Sequence, residues 1–420
     1  MQSGPYRHLD YLPEPEDPRM LTAIDPDAPG YPFEDYGVSP EQADAWRNET
    51  SNIVRAQRPR PLGIIIVLAV ISGLLMSYPS IVSMFAEALT PDSEWAYEDS
   101  NIYALQNIGN GLSGEGVGVC IVDTGIEAEH PAFEGLKLSG YKDFISNDHN
   151  NVQDRGKDLH GTMMAGILVS QGRFTGAAPN VDLYVAAALD EDGQTQSESV
   201  IATAIKWCWQ DMGADIISLS LGGEPNPENP SSSQTATAVS DALEQGIFIV
   251  AAAGNSGNEG SIDVSVPANV EGVIAVGAVD ENRNLWEQTA VGASKDGIDG
   301  ENRTYPHQKP EVSAPGVGIV STSSPDYTVP YSESSGTSDS TVFVVGALAL
   351  ILERHGEALT RNGLNNNRDN IDLVKTALAE SCQKGPNQDT EHHPRYGYGT
   401  LDALAWERAV ATAIANRGDI

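Results

Sequence analysis

Four polar residues at separate places in this 420-residue chain could together hydrolyse an acyl compound. In chain order they are Asp123, His160, Asn255 and Ser338, and each has a glycine within two residues. A serine hydroxyl can attack a carbonyl carbon, a histidine can take its proton, and a carboxylate can orient that histidine. A side-chain amide can donate a hydrogen bond to the oxyanion that forms. The residue types therefore suit nucleophilic catalysis, provided that the fold brings them together.

Each of these residues also has an ordinary structural interpretation. Asp123 ends an apolar run and Asn255 follows one, so both could be turn residues. His160 could be a structural residue at a helix start, and Ser338 could be the N-cap of the apolar run 342–352. The N-terminus of a buried helix, however, presents unpaired N–H groups and a positive dipole end, which favour the negative charge of a tetrahedral intermediate. Four such signals in one chain favour function over structure.

The elements that must position the four residues alternate between strands and helices. Short runs rich in Val, Ile and Ala predict strands buried on both faces, at residues 116–122, 181–187, 216–221, 247–253 and 273–279. Helical spacing and length predict helices at residues 161–170, 197–211, 234–244 and 342–352. This order predicts an α/β fold of three layers, α/β/α, with a mainly parallel sheet in the middle. Active groups gather at the carboxyl ends of the strands in such sheets.

The motifs around the four residues resemble those of the subtilisin-like serine proteases, or subtilases. The motifs are Asp-Thr-Gly at 123–125, His-Gly-Thr at 160–162, Gly-Asn at 254–255 and Gly-Thr-Ser at 336–338. The order Asp, His, Ser along the chain separates the protein from the chymotrypsin and α/β-hydrolase orders. The resemblance extends over about residues 95–408, and it implies the subtilisin fold and a serine endopeptidase that acts on polypeptides.

The resemblance also implies a role for each residue. Ser338 would be the nucleophile, His160 the general base and acid, and Asp123 the group that orients His160. Asn255 and the backbone N–H of Ser338 would form the oxyanion hole. Residues at the ends of two of the predicted strands would line the primary specificity pocket and pair with an extended peptide substrate by strand addition. These substrate-binding residues are Ser220, Leu221, Gly222, Ala252, Ala253 and Gly254.

The sequence departs from the family pattern directly after Ser338. Relatives usually continue with Met-Ala, a small residue and Pro, whereas residues 339–342 here are Asp-Ser-Thr-Val. Asp339 suits a first helical turn, but its carboxylate would oppose a nearby oxyanion and raise the pKa of His160. One alternative is therefore a subtilisin-like module that binds peptides without cleaving them. Another alternative, Ser340 as the nucleophile, is weaker because the Gly-Thr pair before Ser338 sets the register.

An uncharged run at residues 62–86 is long enough to cross a bilayer as a helix. Three arginines precede it and acidic residues follow it, so the positive-inside rule predicts a cytoplasmic N-terminus and an exported C-terminal part. We expect a disordered, proline-rich tail at 1–60, a transmembrane helix in the lipid bilayer at 61–88, and a peptidase domain outside the cell membrane at 89–420. A cleaved signal peptide is the alternative, but the long acidic leader argues against it.

The composition excludes some classes of function. A net charge of −35 argues against nucleic-acid binding, which needs a basic face, and fits either adaptation to high salt or a merely soluble surface. The three cysteines, Cys120, Cys208 and Cys382, allow at most one disulfide bond and suggest no metal site. Cys120 lies in an apolar run and is expected to be an ordinary buried side chain.

The predicted chemistry requires no cofactor. Calcium often stabilises the relatives that this sequence resembles, but no ligand set can be assigned to it here. Two acidic stretches, 190–192 and 296–301, fit solvated loops better than metal sites. Structural calcium is therefore an expectation without ligands.

Overall fold

The computed structural model describes residues 93–417 except 147–150, 224–232, 297–299, 325–329 and 360–366, together with Glu41, Asp44, Ala45, residues 69–73 and Met76. The chain divides into two units, Met1–Tyr78 and Pro79–Ile420. Almost all of the predicted tail at 1–60 and of the predicted membrane helix at 61–88 lies outside the described residues. In the part that the structure describes, no helix has the length and apolar character needed to cross a membrane.

The second unit is built on a sheet of seven parallel strands in the order β2-β3-β1-β4-β5-β6-β7. The strands are β1 Gly118–Asp123, β2 Leu138–Asp143, β3 Asp182–Ala187, β4 Ile216–Leu219, β5 Phe248–Ala252, β6 Ile274–Val279 and β7 Val312–Pro315. Every residue of β1, β4, β5 and β6 is buried, because these runs of Val, Ile and Ala are covered on both faces. All five predicted strands are confirmed, and β2 and β7 are additional.

Helices lie before, between and after the strands. They are α1 Glu94–Asp99, α2 Ile102–Gln106, α3 His160–Val169, α4 Glu198–Lys206, α5 Gln234–Glu244, α6 Thr337–Leu359, α7 Asn367–Ser381 and α8 Ala403–Arg417. A π-helical turn, Trp207–Asp211, continues α4. The four predicted helices are confirmed, and the helix predicted at 342–352 is the buried middle of the longer α6.

The helices lie on two faces of the sheet. The chain runs from β1 to β2, then through α3 to β3, and then through α4 across β1 to β4. Helices α3 and α4 both contact β1, which is buried along its whole length, and each packs against a different helix. The central helix α6 packs against α3, and α5 packs against α4. The predicted three-layer architecture is thereby confirmed.

An antiparallel hairpin, β8 Val317–Thr322 with β9 Tyr331–Ser335, leads directly into α6. Helix α3 lies close against β8, because a Cβ atom on Gly166 would stand only 2.2 Å from Thr322 Oγ1. The small residue at 166 thus permits an approach that a larger side chain would block. This contact ties the helix that begins with His160 to the hairpin that precedes Ser338.

A disulfide bond joins Cys120 of β1 to Cys208 of the π-helical turn, and Cys382 is not disulfide-bonded. The sequence allowed at most one bridge, and one is present. Cys120 is buried as expected, but the interpretation that it is an ordinary apolar side chain is wrong. The two partners are 88 residues apart, so only the packing of the helical layer on β1 brings them together.

A buried ion cluster, defined as Lys309, Glu311 and Lys375, joins β7 to α7. Glu311 Oε1 lies 2.9 Å from the ammonium nitrogen of Lys309 and 2.6 Å from that of Lys375. Both ammonium groups also donate to the carbonyl of Val273, and the N–H of Ala275 donates to Glu311 Oε2. Burial lowers the pKa of Lys309 to about 7.

Candidate active site

The carboxyl end of β1 and the beginning of α3 bring Asp123 and His160 into direct contact. Asp123 is the last residue of its strand and is fully buried, and His160 is the first residue of its helix. His160 Nδ1 lies 2.8 Å from Asp123 Oδ1, which also accepts a hydrogen bond from the N–H of Thr124 at 2.7 Å. About a third of the imidazole surface, 35%, is exposed. Because Nδ1 faces the carboxylate, Nε2 is the ring nitrogen that remains for a reacting group.

Glycines explain why the two motifs can meet. A Cβ atom on Gly161 would stand 2.2 Å from the carbonyl oxygen of Gly125, so the backbones of the two motifs are in contact. The N–H of Gly161 also donates to Thr124 Oγ1 at 2.9 Å. Glycine at 161 is therefore needed for the helix to begin beside the strand end.

Asp154 completes the beginning of α3, although the sequence analysis did not single it out. Its Oδ2 atom accepts hydrogen bonds from the N–H and the hydroxyl of Thr162, at 2.7 and 2.6 Å, and its Oδ1 atom accepts from the N–H of Gly156 at 2.9 Å. It satisfies a donor that a helix N-terminus leaves unpaired. The sequence does not reveal this role, because the usual N-cap position holds Leu159, whose φ is 53°, and not a polar capping residue.

The electrostatic setting of His160 favours its protonated form. Burial alone would lower the pKa of His160, but the carboxylates of Asp123, Asp339 and Asp154 outweigh burial and raise it to about 9. The expectation that Asp339 raises this pKa is confirmed. The three carboxylates therefore favour the imidazolium form of His160 in the free protein.

Ser338 is the second residue of α6 and lies at the carboxyl edge of the sheet, 9% exposed. Its hydroxyl donates to the carbonyl of Ser220 at 3.3 Å, and the hydroxyl of Ser220 donates to the carbonyl of Ser338 at 3.2 Å. The structure thus pairs Ser338 with the segment after β4, and the hydroxyl does not bond His160. A hydrogen bond between a catalytic serine and its histidine is often long or poorly aligned without substrate and tightens when substrate is bound.

Thr337 orients the side chain of Asn255. Asn255 Oδ1 accepts from the N–H of Thr337 at 3.1 Å and from its hydroxyl at 2.8 Å, and the same hydroxyl accepts from the N–H of Gly254 at 3.2 Å. With Oδ1 held in this way, Nδ2 faces Gly336. A Cβ atom on Gly336 would stand 3.6 Å from Asn255 Nδ2 and 3.6 Å from the backbone nitrogen of Ser338. Two donors therefore border one small space, as an oxyanion hole requires.

The predicted substrate-binding residues lie side by side. Ser220, Leu221 and Gly222 follow β4, and Ala252, Ala253 and Gly254 end or follow β5, which is the neighbouring strand. Parallel neighbours end at the same edge of the sheet, so the two segments lie next to each other at that edge.

Ser265 fills the space between these two segments, and the sequence analysis missed it. A Cβ atom on Gly222 would stand 2.6 Å from Ser265 Cβ, and one on Gly254 would stand 2.2 Å from Ser265 Oγ. The N–H of Ser265 donates to the carbonyl of Ala253 at 2.8 Å, which holds it there. Its side chain therefore limits the room between the two segments. No local sequence pattern marks Ser265, since it lies in a loop between β5 and β6.

The sequence model of the Subtilase family matches residues 114–399, which include all of these groups. The chain belongs to the subtilase family. Subtilisin DY of Bacillus licheniformis is 38% identical over 268 residues, which cover 62% of this chain and 86% of the relative. Serine protease AprX of Bacillus subtilis is 31% identical over 334 residues, covering 73% of this chain and 70% of the relative. Subtilases are serine endopeptidases, so the predicted family and enzyme class are confirmed.

This subtilase carries Asp339 beside the space that Asn255 Nδ2 and the Ser338 nitrogen border. The carboxyl group is 2% exposed, and the hydroxyl of Ser334 donates to its Oδ1 atom. Its Oδ2 atom would lie 3.3 Å from a Cβ atom on Gly336, in the same space that the two donors border. Burial raises the pKa of Asp339 to about 6, against the opposing effects of Ser334 and the charge of His160.

Ser340 of the subtilase has a structural contact. It is fully buried, and its hydroxyl donates to the carbonyl of Ala314 at 2.9 Å. A Cβ atom on Gly316 would stand 2.0 Å from Ser340 Oγ, so Ser340 packs against the segment that leads from β7 toward α6. This position gives no support to Ser340 as a nucleophile.

Within the described residues of the subtilase, no group of three or more His, Cys, Asp or Glu side chains is placed to hold a metal ion. Asp190, in one acidic stretch, accepts hydrogen bonds from the N–H groups of Asp192 and Gln194 within its own loop. Part of the other stretch, 297–299, lies outside the described residues. Structural calcium stays a prediction without ligands.

Proposed function

We propose that this subtilase hydrolyses peptide bonds with Asp123, His160 and Ser338 as its catalytic triad. The observation that carries the proposal is the 2.8 Å contact between His160 Nδ1 and Asp123 Oδ1, at the sheet edge where Ser338 lies in the first turn of α6. A carboxylate on Nδ1 holds the ring in the tautomer whose Nε2 can accept a proton. The arrangement supports acyl transfer better than any other reaction.

The proposed reaction begins when the Ser338 hydroxyl leaves the Ser220 carbonyl and turns to His160 Nε2. Ser338 Oγ bonds to the scissile carbonyl carbon as its proton passes to His160, and Asp123 stabilises the imidazolium. Asn255 Nδ2 and the Ser338 N–H bind the oxyanion. His160 then gives the proton to the leaving amine, and water repeats the sequence on the acyl-enzyme. Loss of one such donor costs about 2.7–4 kcal/mol, a value measured in subtilisin and carried over here.

Polypeptide chains are the proposed substrates. The segments 220–222 and 252–254 follow neighbouring strands, so their backbone groups can pair with an extended peptide on either side. Ser265 between them would meet the substrate side chain that precedes the scissile bond. No nucleic acid and no cofactor is part of the proposal.

Replacement of Ser338 by Ala tests the nucleophile. Ser338→Ala should abolish both the cleavage of unfolded protein and covalent labelling by a serine-directed phosphonate. Ser340→Ala is the matched control, because it removes a hydroxyl two residues away that packs against Ala314. Labelling that survives Ser338→Ala, or that disappears in a folded Ser340→Ala variant, would contradict the assignment.

A second candidate function is peptide binding without cleavage. The position of the Asp339 carboxylate beside Gly336 and the bond of the Ser338 hydroxyl to the Ser220 carbonyl favour it. A purified wild-type protein that binds unfolded polypeptide, but never reacts with the phosphonate in low or high salt, would establish this alternative.

We also propose that residues 61–88 anchor the protein in the cell membrane, with residues 1–60 in the cytoplasm and the peptidase domain outside. The uncharged run and the arginines before it support this orientation. The Cys120–Cys208 disulfide adds support, since such bonds persist mainly in exported domains. A protease added to intact cells should digest the peptidase domain and spare the N-terminal tail. Digestion of the tail alone would reverse the orientation.

A further inference from the structure

The space beside Gly336, called the oxyanion space below, is bordered by one acceptor as well as two donors. Measured from the position of a Cβ atom on Gly336, Asp339 Oδ2 lies at 3.3 Å, and Asn255 Nδ2 and the Ser338 nitrogen each lie at 3.6 Å. An oxyanion in this space would receive two hydrogen bonds and face a carboxylate oxygen. The donors favour its negative charge, and an ionised Asp339 opposes it.

Three carboxylates act on His160, each from a different element. Asp123 ends β1, Asp154 belongs to the loop before α3, and Asp339 lies in the first turn of α6. Asp123 contacts the ring directly, and Asp154 is occupied with the N-terminus of α3. Of these three carboxylates, Asp339 is the one that borders the oxyanion space while its charge also acts on His160. Its burial keeps it from being screened by salt.

We propose that Asp339 is a positioning residue that restrains catalysis at neutral pH, because its carboxylate keeps a proton on His160 and repels negative charge in the oxyanion space. The inference rests on the proposed function of His160 and Ser338. It assigns a role to the residue at which the chain departs from the family pattern.

The pH dependence follows from the two groups. Asp339 is ionised above its pKa of about 6, and His160 loses its proton only near its pKa of about 9. Between these values only a minor fraction of His160 is neutral and able to take the proton of Ser338, so reactivity should rise with pH toward 9. Without the charge at 339, the pKa of His160 falls and the rise moves to lower pH. Each unit of this shift is worth about tenfold in reactivity at pH 7.

The test compares Asp339→Asn with the wild type. The rate of labelling by a serine-directed phosphonate is measured from pH 6 to 10, in low and molar salt. We expect the midpoint to fall by about one unit or more and labelling at pH 7 to rise about tenfold or more. Glu333→Gln is the control, because Glu333 is an exposed carboxylate next to Ser334, and it should leave the midpoint unchanged.

A peptide boronic acid gives a second readout, since it forms a tetrahedral anion on the serine. Its affinity at pH 7 should rise in Asp339→Asn, and in Asp339→Ser if the amide variant does not fold. An unchanged midpoint and affinity in a folded variant would overturn the inference, and so would a difference that vanishes in molar salt. A wild type that never reacts with the phosphonate would instead overturn the proposed function itself.

Discussion

Replacement of Thr337 by Val removes a hydroxyl that holds Asn255 and leaves the shape of the side chain almost unchanged. The hydroxyl makes two hydrogen bonds, to Asn255 Oδ1 at 2.8 Å and from the N–H of Gly254 at 3.2 Å. Each is worth about 1 kcal/mol net, while the Thr337 N–H still bonds Asn255. The resulting loss of transition-state stabilisation should therefore be about 1–2 kcal/mol. That value corresponds to about a 5- to 30-fold lower kcat, below the loss expected from removing the amide itself.

The assay measures kcat and KM on a chromogenic peptide. The loss should lie in kcat, with KM little changed, because the oxyanion exists only in the transition state and the intermediate. Thr337→Ser retains the hydroxyl and is expected to retain most of the activity. A Thr337→Val variant with wild-type kcat, or one whose loss lies only in KM, would refute the reasoning that Thr337 orients the donor.

Three further predictions concern stability and specificity. Glu311→Gln should lower the free energy of unfolding by about 3–5 kcal/mol, because two buried ammonium groups lose their counter-ion; Lys157→Ala, which breaks an exposed pair, should cost less than about 1 kcal/mol in the same denaturant titration. Between pH 7 and 10 Lys309 binds a proton in the unfolded chain but not in the folded protein, so the free energy of unfolding of the wild type should rise relative to that of Lys309→Met as the pH increases. If the free energies of unfolding of the two proteins changed in parallel with pH, this prediction would be contradicted. Ser265→Gly should favour peptide substrates with a large residue before the scissile bond: the ratio of their kcat/KM to that of substrates with a small residue should rise by about tenfold or more. An unchanged ratio would show that Ser265 does not limit the space for that side chain.

The fold could be predicted from the sequence where burial leaves a local signal. The strands β1, β3, β4, β5 and β6 are apolar runs bounded by glycines and polar residues, and each was predicted within two or three residues. The polar, half-exposed strands were not predicted, because β2 and β9 carry no apolar run of strand length. Strands made of apolar runs are therefore easier to predict than strands with polar residues, which include the buried but short β7, Val-Ser-Ala-Pro.

The site could be predicted where motifs recur in a family, but its supporting contacts could not. Asp154, Thr337 and Ser265 act through contacts that join distant parts of the chain, such as the 2.8 Å bond between Thr337 and Asn255. The pairing of Cys120 with Cys208 has the same origin. Local patterns identify the reacting groups, and the residues that orient them become visible only when the chain is folded.

Asp339 also allows a stability test that separates a restraint from a helix cap. A capping carboxylate is favoured in its ionised form, so its pKa lies below the ordinary value and its replacement by Asn destabilises the protein at neutral pH. Asp339 has the opposite character, because burial raises its pKa from 3.8 to about 6. The folded protein then binds a proton between these values that the unfolded chain does not, and stability is lost as the pH rises through this window.

Asp339→Asn should accordingly leave the free energy of unfolding almost unchanged at pH 4 and raise it above pH 6, by up to about 3 kcal/mol. Urea denaturation of both proteins at the two pH values measures the difference. A variant that is less stable than the wild type at pH 7 would show that the carboxylate supports the start of α6. A more stable variant would mean that the wild type retains a charge that opposes both its fold and its oxyanion, as expected for a restraint on activity.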